Sequence, residues 1–107
     1  MSDDTEFRSF VLEQLEGLGP FETRKMFGGL ALLRDGRAFA KIKHGALWLK
    51  ADDQTRSRFE DLRMQQNAYG KNNDRHLNFF QTPVDVLEDA DQLSAWTEEA
   101  VLVAQRK

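Results

Sequence analysis

The sequence contains no cysteine and has no long apolar run. The missing cysteine excludes disulfides, thiolate chemistry and a cysteine-built zinc site. The apolar runs span only a few residues, whereas a bilayer-spanning helix needs ~20. The acidic first residues also lack the basic and apolar regions of a signal peptide. We therefore expect a cytoplasmic protein that has no membrane partner.

Patterns that indicate catalysis or metal binding are also missing. The two histidines, His44 and His76, are distant in sequence and neither stands in a ligand motif. No serine stands in a G-x-S-x-G motif, and Gly28-Gly29 is not followed by the lysine of a phosphate-binding loop. Paired acids near 52 and 90 stand where helices are predicted to start, so helix capping explains them. We predict no enzymatic activity, no metal and no cofactor.

The chain has 107 residues, the length of one domain, and we expect a single domain over residues 1–107. The net charge is −3, but the charges are distributed unevenly. Residues 24–50 hold seven bases and one acid, whereas residues 1–23 and 82–107 carry net charges of −5 and −4. A basic middle between acidic ends predicts a polarised domain with one locally positive surface.

The spacing of the apolar residues predicts an α+β fold with two layers. The order is α-β-β-β-α-β-β-α, with helices on one face of an antiparallel five-stranded sheet. Asp35-Gly36 predicts a type I′ hairpin, because both residues tolerate positive φ. We expect three helices. The first is capped by Asp3 or Asp4 and ends at residues 17–20. The second runs from Asp52 or Asp53 to Leu62, and the third is capped by Asp91. The first expected strand spans residues 22–27 and continues, after a bend or bulge at Gly28-Gly29, as residues 30–34. The other four strands are 37–43, 46–50, 64–69 and 75–81. An irregular turn is expected at 84–89.

Several motifs in register resemble one known family. Arg24-Lys25-Met26-Phe27-Gly28-Gly29 is similar to the signature strand of the TfoX N-terminal domain family, also called TfoX/Sxy. The segments that follow in the family's order are Asp35-Gly36, Phe39-Ala40-Lys41-Ile42, Leu47-Trp48-Leu49-Lys50-Ala51-Asp52, Phe79-Phe80-Gln81-Thr82-Pro83, Val86-Leu87-Glu88-Asp89 and Leu93-Ser94-Ala95-Trp96. Phenylalanines and Trp48 replace tyrosines that are usual in the family.

This resemblance covers essentially the whole chain and implies the same layout of helices and strands. It also implies a role in bacterial transcription regulation, through contact with other proteins rather than through chemistry. TfoX itself regulates natural competence and carries a second, helical domain, which we expect this chain to lack. Arg24 and Lys25 are the functional positions that the family motif favours.

The basic middle supplies the remaining candidate residues. If Ala38, Ala40 and Ile42 face the helices, strand alternation places Arg37, Phe39, Lys41 and Lys43 on the opposite face. By the same alternation, Trp48 and Lys50 also lie on that face. The predicted interaction surface is Arg24, Lys25, Arg37, Phe39, Lys41, Lys43, Trp48 and Lys50.

Three readings of this surface remain open at the level of sequence. Aromatic side chains among cations suit a protein interface, with a partner from the transcription machinery or a second copy of the chain. The same chemistry suits single-stranded nucleic acid, whose bases stack and whose phosphates pair with lysine. The third reading is that Phe39 or Trp48 is covered by a terminus or by a second copy, in a homodimer.

Overall fold

The structure is a computed structural model that describes residues 2–26, 29–69 and 75–106. Gly28 of the expected Gly28-Gly29 bend and the expected loop over 70–74 lie outside these residues, as does Lys107. The side chains of Asp3, Asp4 and His76 are outside the description as well.

The order of elements along the chain follows the expected succession of helices and strands, with one extra strand and one extra short helix. The elements are α1 (Ser2–Gln14), β1 (Glu22–Met26), β2 (Gly29–Arg34), β3 (Arg37–Lys43), β4 (Ala46–Lys50), α2 (Arg56–Asp61), β5 (Gln66–Tyr69), β6 (Arg75–Gln81), α3 (Val84–Leu87) and α4 (Ala90–Gln105). A short 3-10 turn, Glu16–Leu18, follows α1.

The strands form one antiparallel sheet in the order β1-β2-β3-β4-β6-β5. The described sheet therefore has six strands, and the prediction of five is wrong. β1 and β2 run in opposite directions with Arg24 opposite Ala31, and β1 is an edge strand. Alternation along the sequence could not reveal this reversal, because a hairpin keeps the same period of two on both of its arms.

Two tight turns join the central strands. Asp35 and Gly36 have φ values of 55° and 78°, as the predicted type I′ hairpin between β2 and β3 requires. His44 and Gly45 connect β3 to β4 with φ values of 54° and 68°. The two turns hold three consecutive strands side by side in the middle of the sheet.

The core lies between the sheet and a single layer of helices, as the two-layer prediction requires. Phe80 on β6 stacks on Phe59 of α2 with ring centroids 5.3 Å apart, and Phe59 meets Trp96 of α4 edge-on, also at 5.3 Å. These aromatic contacts join α2 and α4 to the same sheet face. The cluster also holds Val11, Leu15, Leu18, Leu30, Leu32, Phe39, Ala40, Ile42, Leu47, Leu49, Ala51, Val86, Leu93, Ala100, Val101 and Ala104.

The last helix begins earlier than predicted. The Asp89 carboxylate accepts hydrogen bonds from the backbone N–H groups of Asp91 and Gln92, so Asp89 is the N-cap and the assignment of Asp91 is wrong. The residue before a helix must be extended for its side chain to reach back, and Asp89 has φ −116° and ψ 104°. The segment before it forms α3 rather than an irregular turn.

Candidate interaction surface

One face of the sheet points away from the helices, and we call it the open face. Cross-strand partners share a face, so the register places Arg24, Ala31, Lys41, Trp48 and Gln81 in one row across five strands. Lys25 pairs with Leu30 and therefore belongs to the opposite, helix-covered face. The open face also carries Met26, Ala38, Lys43, Lys50, Leu77 and Phe79.

Phe39 is not on the open face, and its predicted exposure is wrong. Leu32 pairs with Ala40 while Leu33 pairs with Ala38, so Phe39 is the extra residue of a β-bulge. Its side chain is fully buried in the core and meets Phe21 edge-on, with ring centroids 6.1 Å apart. The bulge places Phe39 and Ala40 on the same side, which strict alternation does not allow.

Because of the bulge, the predicted orientations of two neighbouring side chains are also wrong. Ala38, expected toward the helices, pairs with Leu33 and lies on the open face, whereas Ala40 pairs with Leu32 and belongs to the core cluster. Arg37, expected on the open face, turns toward the helix layer, where its Nη1 donates a hydrogen bond to the carbonyl oxygen of Gln105 at 2.9 Å. Lys41 and Lys43 follow the bulge and keep the predicted orientation.

Trp48 lies on the open face as predicted, but its indole is covered. It pairs with Lys41 in the sheet and is only 7% exposed. Its Nε1 donates a hydrogen bond to the carbonyl oxygen of Lys43 at 3.2 Å. The ring therefore supports the sheet surface and does not offer a flat face for stacking.

Phe79 is the aromatic residue that the sequence reasoning missed. The Lys41 Nζ lies 4.9 Å from the centroid of its ring, and the Lys50 Nζ lies 6.0 Å away. Such distances are in the range of cation–π attraction. The alternation of Leu77, Phe79 and Gln81 along β6 is the signal that could have placed Phe79 beside Trp48.

A cleft of about 220 Å³ opens beside these lysines. Small residues form its floor, and one of them, Gly29, is required there, because an added Cβ would lie 2.8 Å from the carbonyl oxygen of Ile42. The close approach of β3 to β2 at this point leaves room only for hydrogen. The residues that line the cleft are Met26, Gly29, Leu30, Ala31, Ala38, Ala40, Lys41, Lys43, Leu77 and Phe79.

The cations of the open face differ in their ion pairing from the arginines that face the helix layer. Burial lowers the pKa of Lys41, and the neighbouring charge of Lys43 lowers it further. Within residues 2–26, 29–69 and 75–106, no carboxylate forms an ion pair with Arg24, Lys41, Lys43 or Lys50. The helix layer shows the opposite pattern, with the ion pairs Arg34–Glu98, Arg56–Glu60, Arg58–Glu99 and Arg106–Asp52.

The candidate chemistry of this surface is recognition. Among the described residues, no group of three or more histidine and acidic side chains is arranged to hold a metal ion. None of the helices in the described segments has the length and apolar character to cross a membrane. The open face does offer an apolar cleft beside lysines that pair with no carboxylate of the described residues.

The TfoX N-terminal domain family matches residues 13–104 of the chain, from α1 to the last turn of α4. The chain belongs to this family. The match includes all the residues of the open face, and it confirms the resemblance drawn from the motif at Arg24-Lys25. Comparison with curated protein sequences gives no match.

Proposed function

We propose that this TfoX N-terminal domain is a non-catalytic regulatory module that binds another protein through its open face. The observation that carries the proposal is the cleft in which Lys41, half-buried and without a carboxylate partner among the described residues, lies against Phe79. We further propose that the module acts in bacterial transcription regulation, in the cytoplasm, with a partner from the transcription machinery; the basis for this is its membership of the family.

The open face is energetically unfavourable in the unbound domain. Burial disfavours the charged form of Lys41, and the charge of Lys43 adds repulsion. Apolar side chains beside them, Leu77 and Met26, are 37% and 40% exposed. Contiguous apolar surface rimmed by polar groups is typical of protein interaction sites. A partner that covers the apolar part and supplies negative charge would relieve both penalties.

A single-stranded nucleic acid is the second candidate, and the structure weakens it. The two aromatic residues expected to stack on bases are unavailable, since Phe39 is in the core and Trp48 is covered. Among the aromatic side chains that the structure describes on the open face, Phe79 is the one that remains, and it is already in contact with two lysines. Titration of a labelled oligonucleotide at increasing salt tests this candidate, because phosphate contacts give a steep loss of affinity with salt.

Capture of partners from an extract of the native cell tests the main proposal. Lys43→Glu reverses one charge of the open face, and Arg63→Glu makes the same change of charge at an exposed position outside the cleft. We expect Lys43→Glu to lose a partner that the wild type and Arg63→Glu both retain. Identical sets of captured proteins from all three would contradict an interface on the open face.

A homodimer through the same face remains an alternative identity for the partner. Sedimentation of the purified domain over a range of concentrations separates the two cases. A mass that rises with concentration, and no longer does so in Lys43→Glu, would identify the partner as a second copy. We expect a constant monomer mass for both proteins.

A further inference from the structure

We propose that the open-face cleft receives one large apolar side chain from a protein segment whose flanking residues are acidic. The proposal deepens the function proposed above and rests on it, because it names the chemistry of the partner at the same surface. It is carried by the size of the cleft and by the two lysines that line it.

The volume suits a single side chain. The cleft measures about 220 Å³, and an engineered cavity of about 150 Å³ is large enough for benzene. Sites for drug-sized ligands begin at about 300 Å³. A leucine or phenylalanine side chain therefore matches this cleft better than a larger free ligand does. Gly29, Ala31 and Ala38 are among the residues that line it, and their small side chains take up little of its space.

The lysines that line the cleft determine which charge the partner's flanking residues should carry. Lys41 and Lys43 both line it, and no carboxylate in the described segments pairs with either of them. Arg24 continues the row beyond Ala31 at the edge of the sheet, two strands from Lys41 and hence about 10 Å away. Acidic residues on both sides of the anchor would meet a cation in each direction.

The apolar content of the cleft makes the anchor as important as the charge. Leu77 and Phe79 line one side and Met26 lines the other, so a purely acidic segment would leave these side chains exposed to water. Hot spots of binding energy are characteristically apolar or aromatic anchors in such pockets, with charges at the rim that set specificity. Both features should therefore be needed together.

Fluorescence anisotropy with defined peptides tests the proposal on the full chain. The first probe is a labelled nine-residue peptide with a central leucine between aspartates. The second replaces the leucine by alanine, and the third replaces the aspartates by lysines. We expect the first probe to bind at least about tenfold more tightly than either of the others, since losing an anchor or reversing rim charges commonly costs that factor.

Two variants locate the binding. Ala38→Leu fills the floor of the cleft without changing charge, and Lys43→Glu changes charge without filling it. Each should weaken binding of the first probe about tenfold, whereas Arg63→Glu should leave it unchanged. If Ala38→Leu does not fold, as judged by its thermal transition, the pair of leucine and alanine probes still tests the anchor on the wild type.

The outcomes separate this proposal from the one on which it rests. Equal binding of the leucine and alanine probes, or of the aspartate and lysine probes, would overturn it. So would an affinity that Lys43→Glu leaves unchanged. If the probes fail but captured partners still depend on Lys43, the open face is the interface and only the stated partner chemistry is wrong. If neither depends on Lys43, both proposals fail.

Discussion

The Lys41 Nζ lies 4.9 Å from the centroid of the Phe79 ring, although the two residues are on strands β3 and β6 and β4 runs between them. The contact passes over strand β4, which carries Trp48, and its two residues line the apolar cleft. It joins the basic middle of the sequence to an aromatic residue from its last strand. The open face is therefore a product of the fold, since its cations come from residues 24–50 and Phe79 comes from the second half of the chain.

The first prediction concerns stability at Lys41. Burial and the charge of Lys43 lower the pKa of Lys41, so its charged form destabilises the folded state at neutral pH. Lys41→Met should raise the midpoint of thermal unfolding, even though the contact with Phe79 is lost, and should weaken partner binding. Differential scanning calorimetry measures the first effect. A lower midpoint would mean that the Lys41 side chain stabilises the folded domain.

The second prediction concerns Gly29. An added Cβ would lie 2.8 Å from the carbonyl oxygen of Ile42 and 3.1 Å from the Cβ of Lys43, inside the sheet. Gly29→Ala should therefore lower the free energy of unfolding by about 1–3 kcal/mol, as overpacking does. Gly17→Ala is the control, since a Cβ at Gly17 meets nothing within 4 Å. Urea denaturation of the two variants gives the comparison, and equal stabilities would contradict the close approach.

The third prediction tests the bulge at Phe39. Because the side chain is fully buried against Phe21 and the core, Phe39→Ala should destabilise the domain by about 3–5 kcal/mol. Phe10→Ala, at a position that is 37% exposed, should cost much less. Urea denaturation measures both. A small loss at Phe39, together with loss of partner binding, would restore the regular strand and the open-face position.

The fourth prediction concerns acid stability at Asp52. The backbone N–H of Thr55 and the Arg106 guanidinium lower the pKa of Asp52 to about 2 from its usual 3.8. The pKa of Asp52 is lower in the folded state than in the unfolded chain. The carboxylate therefore stabilises the fold at pH values above its usual pKa, and this contribution is lost as the pH falls toward 2. Asp52→Asn should flatten that loss. Thermal midpoints between about pH 6 and pH 2 measure it. Parallel curves for wild type and variant would contradict it.

The sequence predicted the fold class because the strong signals were local. The turn at Asp35-Gly36 needs two positive φ angles, and the residues that tolerate them are few. The helical stripe of Leu93, Trp96 and Ala100 also follows from spacing alone. Such features depend on neighbours in sequence, so they can be read without knowing what packs against them.

The errors arose where tertiary structure decides the outcome. Nothing in the alternation of residues 37–43 marks Phe39 as a bulge. A bulge interrupts the regular pairing of the strands, but the free energy gained by burying the phenylalanine in the core offsets that loss. The partner of Lys41 also lies far away in sequence, at Phe79. Side-chain orientation near a bulge and contacts across strands were therefore beyond what periodicity could give.

Site-specific photo-crosslinking in the native cell shows which face of the domain contacts a partner. A photoreactive phenylalanine analogue replaces either Leu77, which is 37% exposed on the open face, or Leu102, which is 49% exposed on α4. We predict a crosslinked protein partner from the position of Leu77 and none from that of Leu102. Crosslinks from Leu102 alone would place the interface on the helix layer and contradict an interface on the open face.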